Sequence, residues 1–297
     1  MPTPHLFRGT APALVTPFTA SGEVDEPAFE RLIDRQLDGG VSGLVVLGTT
    51  GENPTVTHYE RRRLVDLALR RVDGQVPVIV GTGTYNTEDS IAFSVEAGQA
   101  GADGVLVVGP YYSKPSQEGF RRHVEAIAEA TDQPIVLYNV PSRTSFNIHP
   151  ETVLALAEDV PSVVGVKEAS GDLQQVSDIL QHRPDSLAVY AGDDEITLPL
   201  LALGGDGVVS VISNVLPRRL SEMVQAGLDG DFAAARRRHF ELLPAMRACF
   251  FESNPVPIKM VLAAQGYMEE HVRLPLALPG PDASVRQRIR AAFDPHL

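Results

Sequence analysis

The chain has a single cysteine, Cys249, among its 297 residues. One thiol excludes an intrachain disulfide, and the expectation is a reducing, cytoplasmic compartment. No apolar run reaches the roughly 18–20 residues that span a bilayer. The opening "MPTPHLFRGTAPALVTPF" lacks the basic start and long apolar stretch of a signal peptide. Positive charge is also scarce: 25 Lys and Arg stand against 38 Asp and Glu, a net charge of -13. A nucleic-acid binder would show a basic face, so the balance argues against that class, and an anionic substrate would have to be drawn in by local cations. No two histidines have H-x-H or H-E-x-x-H spacing, which removes the usual ligands of a metal-dependent barrel. There is no G-x-S-x-G elbow, and no dinucleotide-type glycine fingerprint follows the first strand.

Lysine is scarcer still. Only Lys114, Lys167 and Lys259 occur, and the other 22 of the 25 cations are arginines. Arginine stays charged and cannot act as an amine nucleophile, so a lysine kept in such a chain can mark a place where an amine is needed. Chance alone also accounts for three lysines.

What the chain does have is a repeated alternation. The runs "APALVT", "GLVVLG", "VPVIVG", "GVLVVG", "PIVLYNV", "VVGVK", "LAVYAG" and "GVVSVI" are short, rich in Val and Ile, and nearly continuous. Strands of a parallel sheet buried on both faces read this way. Helical patterns lie between them. "EPAFERLIDRQLDGG" stops at Gly39–Gly40, and Thr57 with Glu60 three residues on forms a capping box ahead of the next helix. Eight such repeats predict a (β/α)8 TIM barrel over residues 1–228. A doubly wound α/β sheet, the competitor, usually has fewer repeats and the missing fingerprint. Beyond the eighth strand there is more arginine-rich helix than a barrel needs, which predicts a small C-terminal helical domain over 229–297.

Barrel chemistry sits at the C-terminal ends of the strands, and four stretches end there. "VVGVK" is apolar up to Lys167. An amine at that rim is partly stripped of water, which favours the neutral form that attacks carbonyls. Paired with Glu168 or another acid it would be merely structural. In "YNVPSRT", Tyr138 ends the neighbouring strand and could shuttle protons, or be a core tyrosine with a satisfied hydroxyl. Arg143, in the loop behind Pro141, suits bidentate capture of a carboxylate, or is an ordinary surface arginine. "GTTGE" (48–52) offers backbone N–H groups and two hydroxyls to a small anion, or is a simple turn. "PYYSKPSQEG" brings two tyrosines to a pocket or a subunit interface, or merely packs. Lys259, in "NPVPIKMVL", reads as a structural lysine near a helix start.

Taken in this order, "PALVTPF", "GTTGE", "PYYSKPSQEG", "YNVPSRT", "GVKEASGD" and "NPVPIK" resemble the dihydrodipicolinate synthase family of class I aldolases over nearly the whole chain. The resemblance implies an imine between Lys167 and pyruvate, with Thr50 holding the pyruvate carboxylate and the Val209 backbone alongside. It implies a proton relay of Tyr138, Thr49 and Tyr112, the last reaching in from a neighbouring subunit. It gives Arg143 the carboxylate of L-aspartate 4-semialdehyde. Neither a metal nor an organic cofactor is needed, because the protonated imine is the electron sink. Family members assemble as homotetramers built from two dimers. Regulated members bind lysine between subunits. His58 and Tyr111 match that groove, but Arg61, Tyr85 and Asp89 stand where histidine, asparagine and glutamate are usual. A sister aldolase cleaving a 2-keto-3-deoxy sugar acid or N-acetylneuraminate would share the lysine and tyrosine. A non-catalytic keto-acid-binding barrel is the third alternative.

Overall fold

The Val/Ile-rich runs form eight parallel strands in the computed structural model, which describes residues 5–296. They are β1 (Gly9–Pro12), β2 (Leu44–Val46), β3 (Val78–Gly81), β4 (Gly104–Val108), β5 (Ile135–Asn139), β6 (Val163–Glu168), β7 (Ala188–Ala191) and β8 (Gly207–Ser210). Each pairs in parallel with its neighbour in sequence from β2 to β8, and β8 pairs with β1. A single parallel bridge, Ala13 to Val45, joins the two remaining edges and nearly closes the barrel.

The alternation of side chains along a strand explains the continuous apolar runs. Ala11, Val45, Ile79, Leu106, Val136, Tyr138, Tyr190 and Val209 pack together inside the barrel. Leu44, Val46, Val80, Val105, Val107, Leu137, Val189 and Val208 belong to a second core under the helices. Phe7 stacks on Tyr190 with ring centroids 4.2 Å apart. The Tyr190 hydroxyl donates to the Phe7 carbonyl at 2.8 Å. Burial pushes that phenol well above its ordinary range.

The helices around the barrel are α1 (Glu26–Asp38), α2 (His58–Val72), α3 (Thr87–Ala100), α4 (Gln117–Ala130), the single turn α5 (Pro141–Thr144), α6 (Pro150–Asp159), α7 (Leu173–His182), α8 (Thr197–Ala202) and α9 (Pro217–Leu228). The Thr57–Glu60 capping box is formed at the start of α2. After α9 come α10 (Phe232–Ala248), α11 (Val256–Ala264) and α12 (Ser284–Phe293). Leu242, Met246, Leu262 and Phe293 from these last helices join the core that lies outside the barrel strands. Among the described residues no helix is long and apolar enough to cross a membrane.

Three strand ends differ from the apolar runs. The first run is expected to continue to Thr16, but the ladder stops at Pro12, and the Val15 N–H is taken by Asn214 Oδ1 at 3.0 Å. The second run ends at Val46 because Leu47 turns into the left-handed region (φ 56). The eighth ends at Ser210 because the N–H groups of Val211 and Ile212 are captured by Asp194 Oδ2 at 3.1 and 2.9 Å. In each case a polar side chain or a bent backbone ends the ladder while the apolar run continues.

Candidate active site

Lys167 is the penultimate residue of β6 and projects inward, in direct register with Tyr138 of β5. It is 4 % exposed, so the amine is buried. Its Nζ lies 4.1 Å from the centre of the Tyr138 ring. Among the described residues it forms no ion pair with a carboxylate. The pairing with Glu168 that would have made the lysine structural does not form, because successive strand residues face opposite ways. Glu168 faces outward. It is held by Gln175 Nε2 at 2.7 Å, Asn139 Nδ2 at 3.0 Å and the Ser170 N–H at 2.6 Å.

Space for the lysine depends on a glycine. A Cβ on Gly192 would lie 2.6 Å from the Ala169 Cβ and 3.1 Å from the Lys167 Cε. A second glycine serves the neighbouring loop: a Cβ on Gly81 would sit 2.2 Å from the Leu47 carbonyl oxygen. Leu47 itself holds the left-handed backbone, which for a branched side chain costs about 1–3 kcal/mol. That strained bend throws "GTTGE" over the mouth of the barrel, where Thr49–Gly51 form one 3-10 turn.

Thr49, Tyr138 and Arg143 line one cavity of about 190 Å³, together with Tyr111, Leu106 and Val140. Arg143 lies on α5 rather than in open loop, since Pro141 starts a helical turn after β5. The one hydrogen bond its side chain makes to the described residues is long, Nη2 to the Asn254 carbonyl at 3.5 Å. Thr50 is buried beside this cavity, and its Oγ1 accepts a hydrogen bond from Asn254 Nδ2 at 2.8 Å. Val209 faces the barrel interior. Tyr112 is not among the residues lining the cavity: it is 93 % exposed and held in left-handed backbone (φ 67).

Some features here went unnoticed in the sequence. Asn254 is one, whereas Tyr111, one of the two tyrosines expected at a pocket or a subunit interface, lines the cavity. Another unnoticed feature is the buried pair of Lys259 Nζ and Glu52 Oε1, 2.5 Å apart with side chains 0 % and 1 % exposed. Burial pulls the Lys259 ammonium down to about 8. Lys259 is thus occupied by Glu52, in keeping with a structural lysine, and the partner could not be read from the sequence. Behind the cavity, Arg61 donates to the Gly81 carbonyl at 2.8 Å, bonds Asn53, and lies 4.2 Å from the centre of the Phe93 ring. Desolvation lowers its guanidinium to about 10. Nearby, Tyr85 meets Tyr111 edge to face at 5.3 Å, and His58 contacts Glu96 at 2.7 Å.

Lys167 does not itself line the cavity but packs on the ring of Tyr138, which does. The arrangement thus offers a buried amine behind a phenol, with Thr49 and a guanidinium lining the same cavity. Such a set can form an imine with a small keto acid and manage its protons. Among the described residues no group of three or more His, Cys, Asp and Glu side chains is placed to hold a metal ion.

Known proteins share the sequence and the fold. The model of the dihydrodipicolinate synthetase family matches residues 6–289. A 4-hydroxy-tetrahydrodipicolinate synthase from Salinibacter ruber is 68 % identical over 289 residues, covering 97 % of this chain and 96 % of the relative. One from Thermotoga neapolitana is 48 % identical over 283 residues, covering 94 % and 96 %. The crystal structure of dihydrodipicolinate synthase from Thermotoga maritima superposes with a TM-score of 0.95 at 44 % identity, over 98 % of this chain and 99 % of that one. The barrel, its lysine-bearing sixth strand and these likenesses together place the chain in the dihydrodipicolinate synthetase family.

Proposed function

We propose that this enzyme is a 4-hydroxy-tetrahydrodipicolinate synthase of lysine and diaminopimelate biosynthesis, condensing pyruvate with L-aspartate 4-semialdehyde through an imine on Lys167. The observation that carries the reading is the Lys167 amine: buried, without a carboxylate partner among the described residues, and packed on the Tyr138 ring. Such an amine adds to C2 of pyruvate and expels water. Loss of a proton from the pyruvate methyl gives the enamine, whose carbon forms the new C–C bond at the aldehyde. The amino group of the semialdehyde then attacks the imine carbon, closes the ring and returns Lys167 as a free amine. One water is released overall, and no redox step occurs.

Each transfer needs a proton carrier. Tyr138 and Thr49 supply two hydroxyls at the same cavity. Thr50 holds the pyruvate carboxylate, with the Val209 backbone alongside. Arg143, whose guanidinium has so few partners, takes the carboxylate of the semialdehyde. Tyr112 completes the relay in a neighbouring subunit. Its exposure and its bent backbone support that role, since a bare aromatic ring on a shaped loop suits insertion into a second chain. The assembly is a tetramer of two such dimers, at work in the cytoplasm.

Borohydride reduction in the presence of pyruvate tests the reading. It should leave a stable three-carbon adduct on Lys167, located by peptide mass. No adduct, or an adduct on Lys259, would overturn it.

A further inference from the structure

The Thr49–Gly51 turn is tied to the segment after the barrel as well as to the barrel itself. Glu52 closes the turn in left-handed backbone (φ 53). Its buried carboxylate accepts from Lys259 Nζ at 2.5 Å and from the Arg273 N–H at 3.0 Å. Asn254, five residues before Lys259, donates to Thr50 Oγ1 at 2.8 Å. Because the Thr50 oxygen accepts that bond, its own proton remains free to be donated to a ligand. Among the described residues no other side-chain hydrogen bond fixes Thr49 or Thr50.

A buried ion pair adds little net stability compared with a well-packed apolar pair. This one joins positions 207 residues apart and anchors the turn whose Thr49 lines the cavity and whose Thr50 is held by Asn254. Its placement is therefore better explained by what it orients than by what it stabilises.

We propose that Lys259 and Glu52, with Asn254, are positioning residues: they lock the turn so that Thr50 meets the pyruvate carboxylate and Thr49 meets Tyr138. This rests on the imine reading of Lys167. The second lysine of the site region thus serves the reaction without touching a reacting atom.

The informative variant is the neutral pair, Glu52→Gln with Lys259→Gln, which leaves no stranded buried charge. It should keep the circular dichroism of the parent and raise the pyruvate KM about tenfold or more, since small displacements at a reacting site are costly. In a Thr50→Val background the same pair should add little, because the hydroxyl it orients is gone. Asn254→Ala, read the same way against Thr50→Val, keeps the test available if the neutral pair does not fold. An unchanged pyruvate KM, or an equal proportional loss in both backgrounds, would overturn the positioning role. Borohydride trapping of pyruvate on the parent chain separates the two levels. Failure there removes the imine reading, whereas trapping with an unchanged variant KM removes only this inference.

Discussion

Tyr138 and Lys167 sit opposite each other across β5 and β6, and the lysine Nζ rests 4.1 Å from the centre of the tyrosine ring. An aromatic face attracts a cation without neutralising it as a carboxylate would. It also leaves a neutral amine unobstructed. The ring thus fixes the direction of the lysine, and Tyr138 also lines the cavity that Thr49 and Arg143 share.

The ring and the hydroxyl are separable. Tyr138→Phe keeps the packing against Lys167 and removes only the hydroxyl, the proposed proton carrier. The kcat should fall about 10²- to 10⁴-fold, the usual worth of a general acid–base. Borohydride should still trap pyruvate on Lys167, more slowly. Loss of trapping altogether would show that the hydroxyl is needed for the lysine's placement, against the division of labour drawn here.

Gly192→Ala tests the room given to the lysine. The added methyl would meet the Ala169 Cβ at 2.6 Å and the Lys167 Cε at 3.1 Å. Overpacking of this kind costs about 1–3 kcal/mol. Stability should drop by that order, and imine trapping should slow at least about tenfold as the amine is displaced. Trapping at the parental rate would mean that the strand relaxes around the methyl and that the glycine is not what makes space.

The sequence showed the eight strands because burial on both faces leaves a continuous apolar run, and it showed Lys167 because that run ends on it. Strand ends were less legible. Asn214 and Asp194 take backbone N–H groups that the first and eighth runs would otherwise put into the ladder, and neither is near those runs in a way that a short window detects. The short helix carrying Arg143 was hidden for a different reason: Pro141 reads equally as a loop residue and as the first residue of a helix. The Glu52–Lys259 pair lay beyond any local pattern. Each residue belonged to a motif that was noticed, but only the fold brings the two motifs together.

Arg143→Ala removes a guanidinium that has one long hydrogen bond within the described chain. Charged hydrogen bonds are worth about 1.5–3 kcal/mol, or roughly ten- to a hundredfold in affinity. The KM for L-aspartate 4-semialdehyde should rise by that factor while pyruvate trapping on Lys167 stays at the parental rate. A variant that turns over the semialdehyde normally would return the sister aldolases to consideration.

Arg61 bears on feedback by lysine. The guanidinium is buried, bonded to Gly81 and Asn53, and packed on Phe93. It places a fixed positive charge where regulated relatives of the family usually carry histidine, and a lysine ammonium would be repelled by it. Millimolar L-lysine should leave turnover unchanged. Half-inhibition in that range would show that the groove accepts lysine despite the arginine.

Asp194 gives the fold a pH dependence of unusual sign. Its carboxyl is fully buried, and desolvation raises it from 3.8 to about 6. As pH climbs from about 4 to 6 the unfolded chain loses this proton and the folded chain keeps it. The folded state then binds more protons, so stability falls with rising pH across that window. Two units correspond to about 3 kcal/mol. Asp194→Asn mimics the protonated acid and can still accept from the Val211 and Ile212 N–H groups, so it carries no such dependence. Urea unfolding should therefore find the variant gaining on the parent by about 3 kcal/mol between pH 3.5 and 7. A parent–variant difference that stays constant over that range would mean that the carboxyl ionises in the folded chain as easily as in water. The caps on Val211 and Ile212 would then be held by an ordinary carboxylate.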